Sequence, residues 1–187
     1  MKVTNQLKSI IIIIGITSAV FVSSCNAQNS PSKNGFDLSN ASIPVEKILS
    51  GGPGKDGIPA IDHPVLVDKD QADFIKDSDR VLALTIGSVA KAYPINILNW
   101  HEIVNDKIGD QAFVVTYCPL CGTGAIFSAD IRGRHSSFGV SGLLYNSDVL
   151  LYDDLTESLF SQILSKAVSG PLVGEHLKPL VSTHTTW

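Results

Sequence analysis

The sequence predicts an α+β domain, mainly antiparallel β-sheet or a partly open barrel with two or three short helices. Three observations lead there. Residues 81–86 and 89–95 are extended runs around Gly87-Ser88, a glycine-first pair that suits a two-residue hairpin turn. Residues 112–117 and 125–131 form a second pair of runs on either side of the segment CPLCGTG. Helical spacing is confined to two short stretches, near residue 100 and near residue 160.

In the first of these, Ile97, Trp100 and Val104 recur at helical spacing, with Asn96 after Pro94 as the N-cap, which predicts one short helix ending near Asn105-Asp106. Arg132-Gly133-Arg134 then turns the chain into strands at 137–140 and 149–152. Ser141, in Gly139-Val140-Ser141-Gly142, lacks the spacing of a nucleophile elbow and reads as a turn. Residues 156–164 place Leu159, Ile163 and Leu164 on one helical face behind a possible cap at Thr156, and 168–172 read as loop or edge strand. Residues 51–64, GGPGKDGIPAIDHP, carry too many glycines and prolines for a regular element. Their spacing fits no phosphate-binding fingerprint, so they read as a structured loop packed through Ile58 and Ile61.

The first residues belong to a different category. Lys2 and Lys8 precede an apolar run over 10–22 that is short for a membrane span, which is the order of a secretory signal. Its end, Val22-Ser23-Ser24-Cys25, resembles a bacterial lipobox, which implies cleavage after residue 24 and acylation of Cys25. Three units follow: a signal at 1–24, an acylated cysteine with a flexible tether at 25–42, and one globular domain at 43–187. As a flexible coil the tether would hold the domain about 20–25 Å from the membrane. Removing residues 1–24 leaves 12 basic against 18 acidic residues, so the lipid and not the protein's charge must supply membrane attachment. The expected location is the bacterial cell envelope, periplasmic or surface-exposed. Scattered basic residues and the net charge of −4 argue against a nucleic-acid partner.

The chemistry concentrates in Thr116-Tyr117-Cys118-Pro119-Leu120-Cys121-Gly122-Thr123. Two cysteines at this spacing have three readings. As a redox-active dithiol they need one exposed thiol and a resolving thiol within reach, which the two-residue spacer provides and an exported, oxidising setting favours. That reading makes the protein a thiol-disulfide oxidoreductase with an unidentified redox partner. As a metal knuckle the same thiolates converge on copper or zinc delivered by a metal donor, Pro119 fixing the turn and Gly122 allowing positive φ. The third reading is a structural disulfide. A thioredoxin-like fold is excluded, because the motif is followed by a β-like run where that fold has a long helix.

Among the five histidines, His101 is the candidate for a third metal ligand or a proton-transfer group, and Glu102 reads as a solvated helix-surface residue unless it buttresses His101. Tyr117, beside Cys118, reads as a core residue more than as a thiolate partner.

Taken together, Gly51 to Asp62, Ala92-Tyr93-Pro94, Trp100 to Asp106, Thr116 to Thr123 and Phe138 to Tyr145 resemble domain-of-unknown-function family 3179, found in exported bacterial and archaeal proteins. The resemblance covers residues 45–187. It implies no assigned activity. Members are sometimes labelled selenoproteins, which implies redox chemistry at Cys118 or Cys121. Similar proteins continue beyond a Thr-Thr-Trp segment, which implies a C-terminal truncation at Thr185-Thr186-Trp187.

Overall fold

The computed structural model describes residues 30–187; the signal, Cys25 and the first part of the tether lie outside the described residues. Fifteen strands run in order: β1 (Ser32–Lys33), β2 (Phe36–Asp37), β3 (Ile48–Ser50), β4 (Arg80–Ile86), β5 (Val89–Pro94), β6 (Ile103–Ile108), β7 (Gln111–Cys118), β8 (Thr123–Ser128), β9 (Asp130–Ile131), β10 (Arg134–His135), β11 (Phe138–Tyr145), β12 (Asp148–Asp153), β13 (Leu159–Ser161), β14 (Lys166–Ser169) and β15 (Ser182–Thr186). One α-helix, α1 (Ile95–His101), and two single 3-10 turns complete the described elements. The fold is therefore predominantly β, with fewer helices than expected and no closed barrel among the described residues.

Of five antiparallel sheets among the described residues, two are the two-stranded β1-β2 and β10-β9 and three stack in layers, ordered β15-β4-β5, β6-β7-β8 and β14-β13-β12-β11-β3. The middle sheet is buried on both faces, and β7 shows how. Phe113, Val115 and Tyr117 point into a core shared with Leu82, Leu84, Tyr93 and Leu98 of the β4–β5 hairpin and α1. Val114 points the other way, into a core with Phe138, Val140, Leu151 and Phe160 of the five-stranded sheet. Because strand side chains alternate, Cys118 falls on the Val114 face and so looks toward the five-stranded sheet.

The hairpin around Gly87-Ser88 is present, with Ile86 opposite Val89 and Gly87 at φ +60. The strands flanking the cysteine motif are β7 and β8, paired from Phe113↔Ser128 to Cys118↔Thr123. Two helix expectations need correction. The helix near residue 100 stops at His101, because Glu102 takes φ +57 and the chain enters β6; Asn96 is not the cap, a position held by Pro94. Trp100 is 76% exposed, while Ile103 and Val104 are buried on opposite faces of the middle sheet, so the apparent helical period ran across a strand. The expected helix at 156–164 is a turn followed by β13. The buried Asp153 carboxylate accepts from Thr156 N (3.0 Å), Thr156 Oγ1 (2.7 Å) and Ser158 N (3.1 Å), closing the turn, after which Leu159 and Phe160 are both buried.

Residues 30–42 also depart from expectation. Phe36 and Leu38, the only large apolar residues of the supposed tether, are buried beneath the five-stranded sheet with Ile48, Leu143 and Tyr152. The β1–β2 hairpin is thus part of the packed body.

Residues 51–64 form the expected structured loop. Ile61 N donates to Ile103 O (2.9 Å) and Asn105 N to Ile61 O (2.8 Å), while Ile58 and Ile61 pack against two different cores. Asn105 then locks loop and layers together. Its Nδ2 donates to Asp62 Oδ1 (2.8 Å) and Phe138 O (2.8 Å), and its Oδ1 accepts from Phe138 N (2.9 Å). Ser141 lies in a β-bulge of β11, not a turn: the register slips between Val140 and Leu143, and the hydroxyl donates to Leu150 O while accepting from Leu143 N (3.0 Å). Completely buried and committed to the backbone, it has no freedom to act as a nucleophile.

Candidate functional site

Cys118 ends β7 and Cys121 follows in the turn that Gly122, at φ +67, closes by donating its N–H to Cys118 O (2.8 Å). The turn brings the two sulfurs to 3.1 Å, both as free thiols, Cys118 buried and Cys121 exposed. The β11–β12 hairpin faces them. Its two-residue turn has Asn146 at φ +52 and Ser147 at φ +66, which presents Ser147 O at 3.1 Å from Cys121 Sγ and 3.6 Å from Cys118 Sγ.

The next residue, Asp148, is fully buried, with Oδ2 3.2 Å from Cys121 Sγ. Ligand atoms of Cys118, Cys121 and Asp148 all lie within 4.8 Å of one another. The carboxylate is held by Thr123 Oγ1 (2.5 Å) and Gln162 Nε2 (3.2 Å to Oδ1), and Gln162 Nε2 also donates to Thr123 Oγ1 (2.9 Å). Gln162 Oε1 is buried without a partner. No lysine, arginine or histidine forms an ion pair with Asp148 among the described residues. A buried carboxylate in that state is costly unless a cation or a proton compensates it.

This environment acts on the thiol. Burial, the Cys118 sulfur and Asp148 push Cys121 up to about 12, with the Thr123 hydroxyl working in the opposite direction. Cys121 is exposed as a residue, yet its sulfur faces the Ser147 carbonyl and the buried carboxylate, so desolvation heads the causes. The direction is opposite to that of a thiol activated by neighbouring positive charge.

His101 does not join the cluster. Its Nδ1 is engaged with Pro59 O at 2.9 Å, at the C-terminal end of α1, and it is absent from the three-residue ligand group. Tyr117 is a core residue, packed on the opposite face of β7 from the cysteines. Glu102 is neither a helix-surface residue nor shown to buttress His101. It lines a small apolar cavity with Cys118, Leu120, Ile58 and Gly142, and burial raises its carboxyl to about 7. Segments of the glycine-rich loop, the end of α1, the cysteine turn and β11 therefore meet beside Cys118.

Asp148 and Gln162 were not found by sequence reasoning. Asp148 occurs in Asn146-Ser147-Asp148, an ordinary turn signal between two strands, and Gln162 carries no motif at all. Only pairing of β12 with β11 and β13 carries them to the cysteines, 27 and 41 residues along the chain from Cys121.

Residues 55–187 match the family described as a protein of unknown function (DUF3179). No curated protein and no solved structure matches the chain.

Proposed function

The chain belongs to the DUF3179 family, and from that premise we propose that Cys118 and Cys121 form a redox-active dithiol that reduces disulfides. One observation carries the reading: two free sulfurs 3.1 Å apart, one exposed to attack and one buried behind it to resolve. In the cycle, the Cys121 thiol loses its proton, with Asp148 Oδ2 the carboxylate oxygen in reach at 3.2 Å, and the thiolate attacks a partner disulfide. The first partner sulfur leaves as a thiol. Cys118 then attacks Cys121 Sγ, the second partner thiol departs, and two electrons and two protons have passed to the partner.

The raised Cys121 thiol is protonated at neutral pH, so attack requires that its proton be removed first. The exposure of Cys121 argues against a purely structural bridge. In this reading the protein is exported and tethered to the envelope through acylated Cys25, which places the dithiol where disulfides persist. Cys25→Ser should release it from the membrane fraction.

The test is the reduction potential, measured by equilibration with thiol buffers of known poise, alongside turnover of a disulfide reporter. The pair should equilibrate with the buffers as a single two-electron couple, and either Cys118→Ser or Cys121→Ser should abolish turnover. Turnover retained in either variant, or a pair that forms no disulfide in the most oxidising buffer, would overturn the dithiol.

A further inference from the structure

We infer that, in the reduced protein, Cys118, Cys121 and Asp148 bind a single zinc(II) ion. The inference rests on the reading above in one respect, that both thiols are accessible in reduced form. Its geometric basis is separate.

A tetrahedral zinc site has Zn–S distances of about 2.3 Å and Zn–O distances of about 2.1 Å, which fixes its edges at about 3.8 Å between sulfurs and about 3.6 Å between sulfur and oxygen. The protein already holds Cys118 Sγ and Cys121 Sγ at 3.1 Å and Cys121 Sγ and Asp148 Oδ2 at 3.2 Å. Outward movements of roughly half an ångström complete those edges, within the freedom of side-chain torsions. Three protein ligands leave a fourth position open, and Ser147 O, 3.1 and 3.6 Å from the two sulfurs, is a further oxygen close to the thiols.

Charge points the same way. Asp148 is fully buried with no cationic partner among the described residues, and zinc would compensate it. Thr123 and Gln162, which hold its oxygens, are the outer partners that orient a metal-ligating carboxylate. The mixed set of two thiolates and one carboxylate selects zinc over copper(I), which favours sulfur alone, and over hard cations, which favour oxygen alone. Binding is Zn²⁺ + 2 RSH → Zn(SR)₂ + 2 H⁺, with no change of oxidation state. The disulfide form has no thiolate to offer, so it does not bind.

The full chain is reduced under anaerobic conditions, and of its three cysteines the thiols of Cys118 and Cys121 are counted by alkylation and mass mapping. It is then titrated with zinc(II) against a chromogenic chelator, and the loaded protein is examined by zinc-edge X-ray absorption. The expected result is one ion per chain, about two protons released, and a first shell of two sulfurs with oxygen neighbours. Asp148→Asn should weaken binding about tenfold or more, and His101→Ala should leave it unchanged. A reduced protein that binds no zinc, a shell without two sulfurs, or affinity lost in His101→Ala overturns the assignment. Tighter binding of copper(I), indifferent to Asp148→Asn, overturns the choice of metal. If Asp148→Asn does not fold, the absorption spectrum of the unmodified protein still decides the ligand set. A protein with both thiols counted that binds zinc but does not turn over a disulfide reporter would refute the redox reading and leave the zinc site standing.

Discussion

Replacing Asn105 by alanine should cost the fold heavily, because its side chain joins the glycine-rich loop to the layers. Asn105 is 8% exposed and makes three hydrogen bonds, two of them to the backbone of Phe138, which is 1% exposed. Alanine cannot replace either bond, so the Phe138 N–H and C=O are left buried and unpaired at about 1–3 kcal/mol each. The bond to Asp62 adds less, because Asp62 is exposed and water can replace it. The expected loss is about 3–5 kcal/mol, read as a lower urea midpoint with unchanged slope and as a fall in Tm on the order of 10 °C. Asp62→Ala alone should cost under about 1 kcal/mol, and Asn105→Ala should cost nearly as much in that background as in the native chain. A loss below about 1 kcal/mol for Asn105→Ala would refute the clamp, since it would mean that the layers do not depend on this side chain to satisfy Phe138.

Two further perturbations address the neighbourhood of Cys118. Gly142 takes φ +68 in the β11 bulge, and a Cβ there would lie 2.1 Å from Pro53 O; Gly142→Ala should therefore cost about 1–3 kcal/mol in backbone strain and displace residues 51–57, which limited proteolysis would reveal as new cleavage in that loop. Unchanged protease resistance would show that the loop does not depend on the bulge. Glu102 is raised from 4.5 to about 7 by burial, so below pH 4.5 both states hold the proton, and between 4.5 and 7 the folded state alone holds it. Stability should fall as pH rises through that window, by about 1–2 kcal/mol after allowance for partial exposure, and Glu102→Gln should remove this slope from thermal melts taken from pH 4 to 8. Parallel slopes in the two proteins would place the titration elsewhere.

The sequence by itself determined the features that are local. Gly87-Ser88 marked its hairpin because a two-residue turn needs a residue at positive φ, and the strands around the cysteine motif were legible as apolar runs broken by Pro119 and Gly122. The pairing of two thiols in one turn followed from their spacing alone. What periodicity could not decide was whether Ile103-Val104 and Leu159-Phe160 belong to helices or to strands. Consecutive buried residues lose the period-two signature when both faces of a sheet are covered, and that depends on layers supplied by distant parts of the chain. The same holds for Phe36 and Leu38, polar in context and buried only because the five-stranded sheet offers them an apolar face. The site divides along this line. Cys118 and Cys121 are neighbours by covalent connectivity, whereas Asp148 and Gln162 reach them through strand pairing, and His101, nearer in sequence to Cys118 than Asp148 is, turns instead to Pro59. Sequence distance says nothing about which carboxylate or imidazole a sheet register will aim at a sulfur; the tertiary structure decided it.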